Sequence, residues 1–223
     1  ATDGVGTLTV NALITTGGGS FTSFQDDFVN NSTGTITTAG GGVSIIERGT
    51  ASADYTISGE INSGAGDITI RADNLDLGAN IAGSSSAITF LVSGSIELIA
   101  NVEVNSSANN GNIFLTAVDS TAGETRDLTV IAGIGTVTFS GNVGQGAGAL
   151  GRLDVQSASS VSAQKNIVTS GDIDITATSI NLSDTTYTSN AGSIALAGAV
   201  DLSGGGITTT LLQLATGYAI ISN

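Results

Sequence analysis

Gly171-Asp172-Ile173-Asp174-Ile175-Thr176-Ala177 decides the reading of this chain, because its order of glycine, two apolar residues split by a polar one, and a closing small residue keeps returning. It returns as Gly66-Asp67-Ile68-Thr69-Ile70-Arg71-Ala72, as Gly111-Asn112-Ile113-Phe114-Leu115-Thr116-Ala117 and as Gly192-Ser193-Ile194-Ala195-Leu196-Ala197. A frayed copy is Gly94-Ser95-Ile96-Glu97-Leu98-Ile99-Ala100. Strict alternation over about five residues marks a strand with one buried and one wet face. Isoleucine and leucine therefore face inward, and the Asp, Thr and Asn between them face outward.

Outward from these phrases, each turn of the chain reads as three short pieces. After the glycine-led strand comes an apolar-polar-apolar triplet, as in Leu75-Asp76-Leu77, Val102-Glu103-Val104, Ile180-Asn181-Leu182 and Val200-Asp201-Leu202. A Ser/Thr/Asn-rich edge then closes the turn, as in Ile61-Asn62-Ser63-Gly64, Ile167-Val168-Thr169-Ser170 and Ile207-Thr208-Thr209-Thr210. Placed after their glycines, successive coils begin near Val43, Asp67, Ile88, Asn112, Arg152, Asp172, Ser193 and Leu211, and the complete ones advance by about 18 to 24 residues. The wider gap from Asn112 to Arg152 takes an extra coil, with Asp127-Leu128-Thr129-Val130 and Gly135-Thr136-Val137-Thr138-Phe139 as strands and Thr121 to Arg126 as a protruding loop. A fixed period in the twenties with β alternation and no helical stripe predicts a β-solenoid. The expected fold is all-β, a parallel β-solenoid of about ten coils at roughly 20 residues per coil.

One coil cannot cover its own apolar face, so stacking must supply the missing contacts, with parallel strands about 4.8 Å apart closing each other's hydrogen bonds. Glycine, Asn and Asp are expected at corners where the backbone needs positive φ. Proline would remove a ladder donor, and the chain has none.

Residues 1–33 read as irregular N-terminal coil with a Phe-rich segment, and 34–223 as one continuous run of repeats, an excerpt of a longer fibre. The first part holds the strand Gly6 to Ala12 and the Gly17-Gly18-Gly19 turn. Phe21, Phe24 and Phe28 beside Asp26-Asp27 then suggest a strand pair with a turn, a short helix being the alternative, and their rings a core or otherwise a sticky patch.

Composition removes most catalytic chemistry. With no His and no Cys there is no Ser-His-Asp triad, Cys-His pair, thiolate or imidazole metal site, or disulfide. Five basic residues (Arg48, Arg71, Arg126, Arg152, Lys165) stand against nineteen acids, a formal net charge of −14 that repels nucleic acid. No apolar run is long enough to span a membrane, and the first residues carry no signal-peptide pattern.

Asp67 and Asp172 follow the glycine in equivalent positions, and with Asp174, Asp76 and Asp201 they suggest outward carboxylate ladders. Such ladders hold Ca²⁺ loosely, form a glycosidase pair, or, as the repeat argues, are a solvated face. No acidic cluster is legible around Arg71, Arg126 or Arg152, as a polysaccharide-cleaving β-helix would need. Threonine positions drift too far between coils for an ice-binding array, and Tyr55, Tyr187 and Tyr218 read as loop or corner packing. No residue is assigned as catalytic, cofactor-binding or metal-ligating, no cofactor is expected, and the chain is read as not an enzyme.

The run Gly171-Asp172-Ile173-Asp174-Ile175-Thr176-Ala177-Thr178-Ser179-Ile180-Asn181-Leu182, with Ala191-Gly192-Ser193-Ile194-Ala195-Leu196, resembles the repeats of large secreted bacterial proteins related to the filamentous haemagglutinin family, and the likeness extends over most of Gly34 to Leu214. The resemblance implies a right-handed parallel β-helix, exported and displayed at the bacterial surface as a fibre that adheres to cells, to matrix or to itself. A carbohydrate-binding or carbohydrate-cleaving β-helix is the alternative. The strands begin at Thr7-Leu8-Thr9-Val10 and end at Leu211 to Ile221 with no polar cap, so both ends are expected to be covered, by further coils or by an identical subunit stacked head to tail.

Overall fold

A computed structural model describes residues 2–49, 54–84, 87–108, 110–183, 186–202, 206–209, 212–214 and 220–221. The expected coil start at Leu211 and the third tyrosine, Tyr218, lie outside them. Among the described residues every regular element is a strand, and the strands pair in parallel. The chain is a parallel β-solenoid.

Backbone register defines three faces. Face one is the ladder Leu8, Phe28, Tyr55, Leu75, Ile96, Val118, Val143, Ile167, Tyr187 and Ile207, each residue beside the same position one coil on. Face two runs through Ile14, Ile36, Ile61, Ile81, Val104, Val130, Val155, Ile175, Leu196 and Leu214. Face three runs from Phe21 through Val43, Ile68, Ile88, Ile113, Val137, Val161, Ile180 and Val200 to Ile220. Ten rungs at the spacing of parallel strands make a column about 45 Å long. The coils average ~22 residues.

Alternation does what the sequence requires of it. Ile68, Ile70, Ile113, Leu115, Ile173, Ile175, Ile194 and Leu196 are each at most 2% exposed. The two described tyrosines correct their expected place at loops or corners. Tyr55 and Tyr187 are rungs of the face-one ladder, both 1% exposed, and their hydroxyls donate to the carbonyls of Gln25 (3.1 Å) and Ala163 (3.2 Å). Burial removes water from the phenol of Tyr55, so the buried hydroxyl stays protonated and needs that acceptor.

The Phe-rich segment is one ten-residue strand, Phe21–Asn30, that turns a corner: its first half pairs with Val43–Glu47 on face three and its second with Asp54–Ile57 on face one. Phe28 is core, tilted against Tyr55 at 5.9 Å and edge-on to Phe21 at 6.3 Å. Phe24 points out, 39% exposed, with the Arg48 guanidinium 5.8 Å from its ring centre.

Two expectations about the repeat need correcting. The glycine-led strand does not keep to one face. Ile68–Ala72, Ile88–Val92 and Ile113–Leu115 lie on face three, whereas Leu153–Ser157 and the first halves of Ile173–Leu182 and Ile194–Asp201 lie on face two. Between residues 113 and 153 the motif slips by one face, so Asp67 and Asp172 are not equivalent. The extra coil is present, with Leu128–Ile131 on face two and Thr136–Phe139 on face three, and residues 122–125 form an exposed loop before it. The slip is possible because all three faces ask the same of a strand: an apolar inner row and a tight corner.

The glycines of the motif are also not there for positive φ. Gly66, Gly171 and Gly192 are absent from the residues with left-handed backbone, which include Gly49, Gly123 and Gly133. A Cβ on Gly66 would sit 2.1 Å from the nitrogen of Gly42 and 2.4 Å from the carbonyl carbon of Gly41 in the coil before. Close approach of stacked corners, not unusual backbone, excludes a side chain there.

Candidate functional site

On face two the outward positions form two columns two residues apart. Successive rungs carry Asn101 with Glu103, Asp127 with Thr129, Arg152 with Asp154, Asp172 with Asp174, and Ser193 with Ala195. Arg152 stands amid carboxylates, contrary to the expectation that none would cluster near it. Its Nε and Nη2 donate to Asp174 Oδ2 at 2.9 and 2.7 Å, and Nη1 lies 3.3 Å from Asp154 Oδ2. Asp154 also accepts from Gln156 Nε2 at 3.1 Å. The pattern conceals this because Asp174 lies 22 residues from Arg152 and one coil away.

Asp172 does different work. Its Oδ1 accepts the Ser193 N–H at 2.7 Å and the Ser193 hydroxyl at 3.0 Å, clamping one corner to the next. The same clamp recurs at other corners. Asp67 accepts from the N–H of Ala87 (2.9 Å), Asn101 from Asp127 (3.0 Å), Asn112 from Thr136 (2.8 Å) and Asn166 from Thr186 (2.9 Å). An Asx side chain at a corner thus satisfies a backbone donor of the coil above, where the ladder of strand bonds is interrupted. Asp67 and Asp172 are corner clamps on two different faces, a role that their recurrence with the repeat could have suggested.

The remaining acids lie elsewhere. Asp76, Glu97 and Asp119 occupy consecutive outward positions on face one, beside Asp54. Asp119 is only 4% exposed because residues 144–149 fold over it, with the Gly146 N–H donating to its Oδ1 at 2.7 Å. Asp201 stands on face three next to Asn181. Arg71 lies 3.6 Å from Glu47, and Arg126 3.4 Å from Glu124. Beside the Arg152 strip, Asn80, Asn101, Glu103, Asp127 and Thr129 line a shallow polar depression of about 260 Å³. Among the described residues no three acidic side chains are grouped to hold a metal ion.

These environments push titrations in opposite directions. Hydrogen bonds from the Ser193 N–H and hydroxyl hold Asp172 below the ordinary carboxylate range. Burial, with Glu97 and Asp54 nearby, raises Asp76, while burial and Asp73 raise Glu47 against the pull of Arg71. A raised carboxyl is costly when ionised, so Asp76 and Glu47 lend stability as pH falls through their folded values. Asp172 contributes above its unfolded value and loses that contribution as pH falls through its depressed one. The thermal midpoint is therefore expected to rise as pH falls through the raised folded values of Asp76 and Glu47, and to fall again as pH drops through the depressed value of Asp172. A midpoint falling steadily from pH 7 downward would contradict this assignment.

Fold and surface together define the class: an all-β parallel solenoid with an apolar core of stacked aliphatic and aromatic rungs, clamped corners and an acidic sheath. Compared with family models, with curated proteins and with solved structures, the chain matches none.

Proposed function

We propose that the chain is a structural segment of an extracellular fibre, an adhesin stalk or filament of the kind that its resemblance to filamentous haemagglutinin-type repeats implies, displayed at a bacterial cell surface. The observation that carries this reading is the continuity of the column. Three parallel ladders and a row of corner clamps bond each coil to the next, so tension along the axis is shared by hydrogen bonds at every rung. At the coil formed by residues 8–22, Leu8, Val10, Ile14 and Phe21 border an open cavity of about 490 Å³, and Leu13 is 64% exposed beside it. In this reading a further coil or an identical subunit would find an apolar surface to stack on at that opening. Electron microscopy of the native material, with sedimentation of the 223-residue chain, tests the reading. Thin filaments or end-seeded association support it; a compact particle and a monomer at high concentration would overturn it.

A second reading, binding or cleavage of carbohydrate, is favoured by the face-two strip, where carboxylates converge on an arginine next to a polar depression. Against it, Arg152 is already engaged by Asp154 and Asp174. Saccharide binding that Glu103→Gln abolishes, with the fold unchanged by circular dichroism, would favour this reading over the first.

A further inference from the structure

We propose that face three is a self-pairing surface on which a second copy of this chain lies side by side with the first. Its outward column reads Thr22, Ser44, Thr69 and Thr89 in consecutive rungs, then Phe114, Thr138 and Ser162. Stacking thus closes much of the drift in threonine position that the linear sequence shows. In the next column Phe24, Ile46, Arg71 and Leu91 follow one another, with Phe24 39% and Leu91 44% exposed.

Charge selects the face. The chain carries −14 overall, so two copies repel wherever carboxylates meet. Face one presents Asp27, Asp54, Asp76 and Glu97, and face two Glu103, Asp127, Asp154 and Asp174 with Arg152 as their one cation. Between Phe21 and Ala163, face three holds Asp67, clamped to Ala87, Arg71, which faces Glu47 at 3.6 Å, and at its edge Arg48, whose guanidinium lies 5.8 Å from the Phe24 ring centre. Over these rungs it is the face along which two such rods approach with the fewest opposed like charges, Asp3 and Asp201 lying on rungs outside them.

Chemistry selects a second copy as the occupant. A serine or threonine hydroxyl both donates and accepts, so a column of them is complementary to itself. Another solenoid also repeats at the same strand spacing, so contacts made at one rung recur at the next, and a two-fold pair closes at two subunits. Seven rungs about 4.8 Å apart and strands about 13 Å wide bury on the order of 900 Å² in total, the scale of a weak, reversible contact.

Sedimentation equilibrium of the 223-residue chain at low and high salt tests this. A monomer–dimer equilibrium is expected that tightens at least threefold as salt rises from 0.05 to 0.5 M, because screening reduces repulsion between the acidic sheaths. Leu91→Glu and, independently, Thr138→Glu should each weaken the dimer at least tenfold with unchanged circular dichroism. Thr56→Glu, on face one, should not. End-to-end stacking is distinguished by open-ended growth in mass that survives Leu91→Glu and is lost in Ile14→Glu. A monomer at every salt concentration, a dimer indifferent to both face-three variants, or an ice-shaping activity in a monomeric chain that Thr138→Glu removes would each overturn the proposal.

Discussion

Ile173→Asp is expected to cost about 3 to 5 kcal/mol at neutral pH, because it places an uncompensated charge in a stack of aliphatic side chains with no polar partner. Ile173 is 1% exposed and lies between Leu153 and Ile194 in the ladder. At this chain length such a loss lowers the thermal midpoint by about 6 to 20 °C. Burial would raise the new carboxyl's pKa, so the variant should regain stability as pH falls and the group becomes neutral. Its neighbour provides the control. Asp174→Asn removes an exposed partner of Arg152, which keeps Asp154 at 3.3 Å, and should change stability by less than about 1 kcal/mol. Equal losses at the two positions would show that inward and outward residues had been exchanged.

Gly66→Ala should be nearly as damaging, at about 3 kcal/mol, although alanine is among the mildest of substitutions elsewhere. The added methyl would lie 2.1 Å from a backbone nitrogen of the coil below, and backbone cannot swing away as a side chain can. Gly123→Ala makes the opposite comparison. That glycine has φ +80° and nothing within 4 Å of an added Cβ, so only the left-handed backbone is strained, at about 1 to 2 kcal/mol. Denaturant melts of the two variants rank the causes directly. If Gly123→Ala proved the worse, close packing of corners would not be what the motif glycines provide.

The core could be read from the chain because inward alternation is local: Ile173 and Ile175 announce their burial within three residues. The extra coil around Leu128 to Phe139 was legible for the same reason. Contacts between coils were not. The bond from Arg152 to Asp174, the clamp from Asp172 to Ser193 and the cover over Asp119 each join residues 20 or more apart, and their pairing depends on how many residues each corner consumes. Positive φ was wrongly expected at Gly66 because a turn glycine and a close-approach glycine look alike in sequence. The tyrosines misled differently. Tyr55 and Tyr187 are polar enough to suggest a surface, yet each ring fills a rung and needs only one carbonyl for its hydroxyl.

The slip of the glycine-led strand from face three to face two has a consequence for how such a chain lengthens. Since any face accepts the same strand, the smallest segment that can be inserted or lost without breaking the stack is one side of the triangle, about seven residues, and not a whole coil. Duplications that are out of step with the geometry then survive selection. Copies aligned by their letters point in different directions in space, and an inherited surface feature can be carried round the axis by a third of a turn while the core beneath it stays the same.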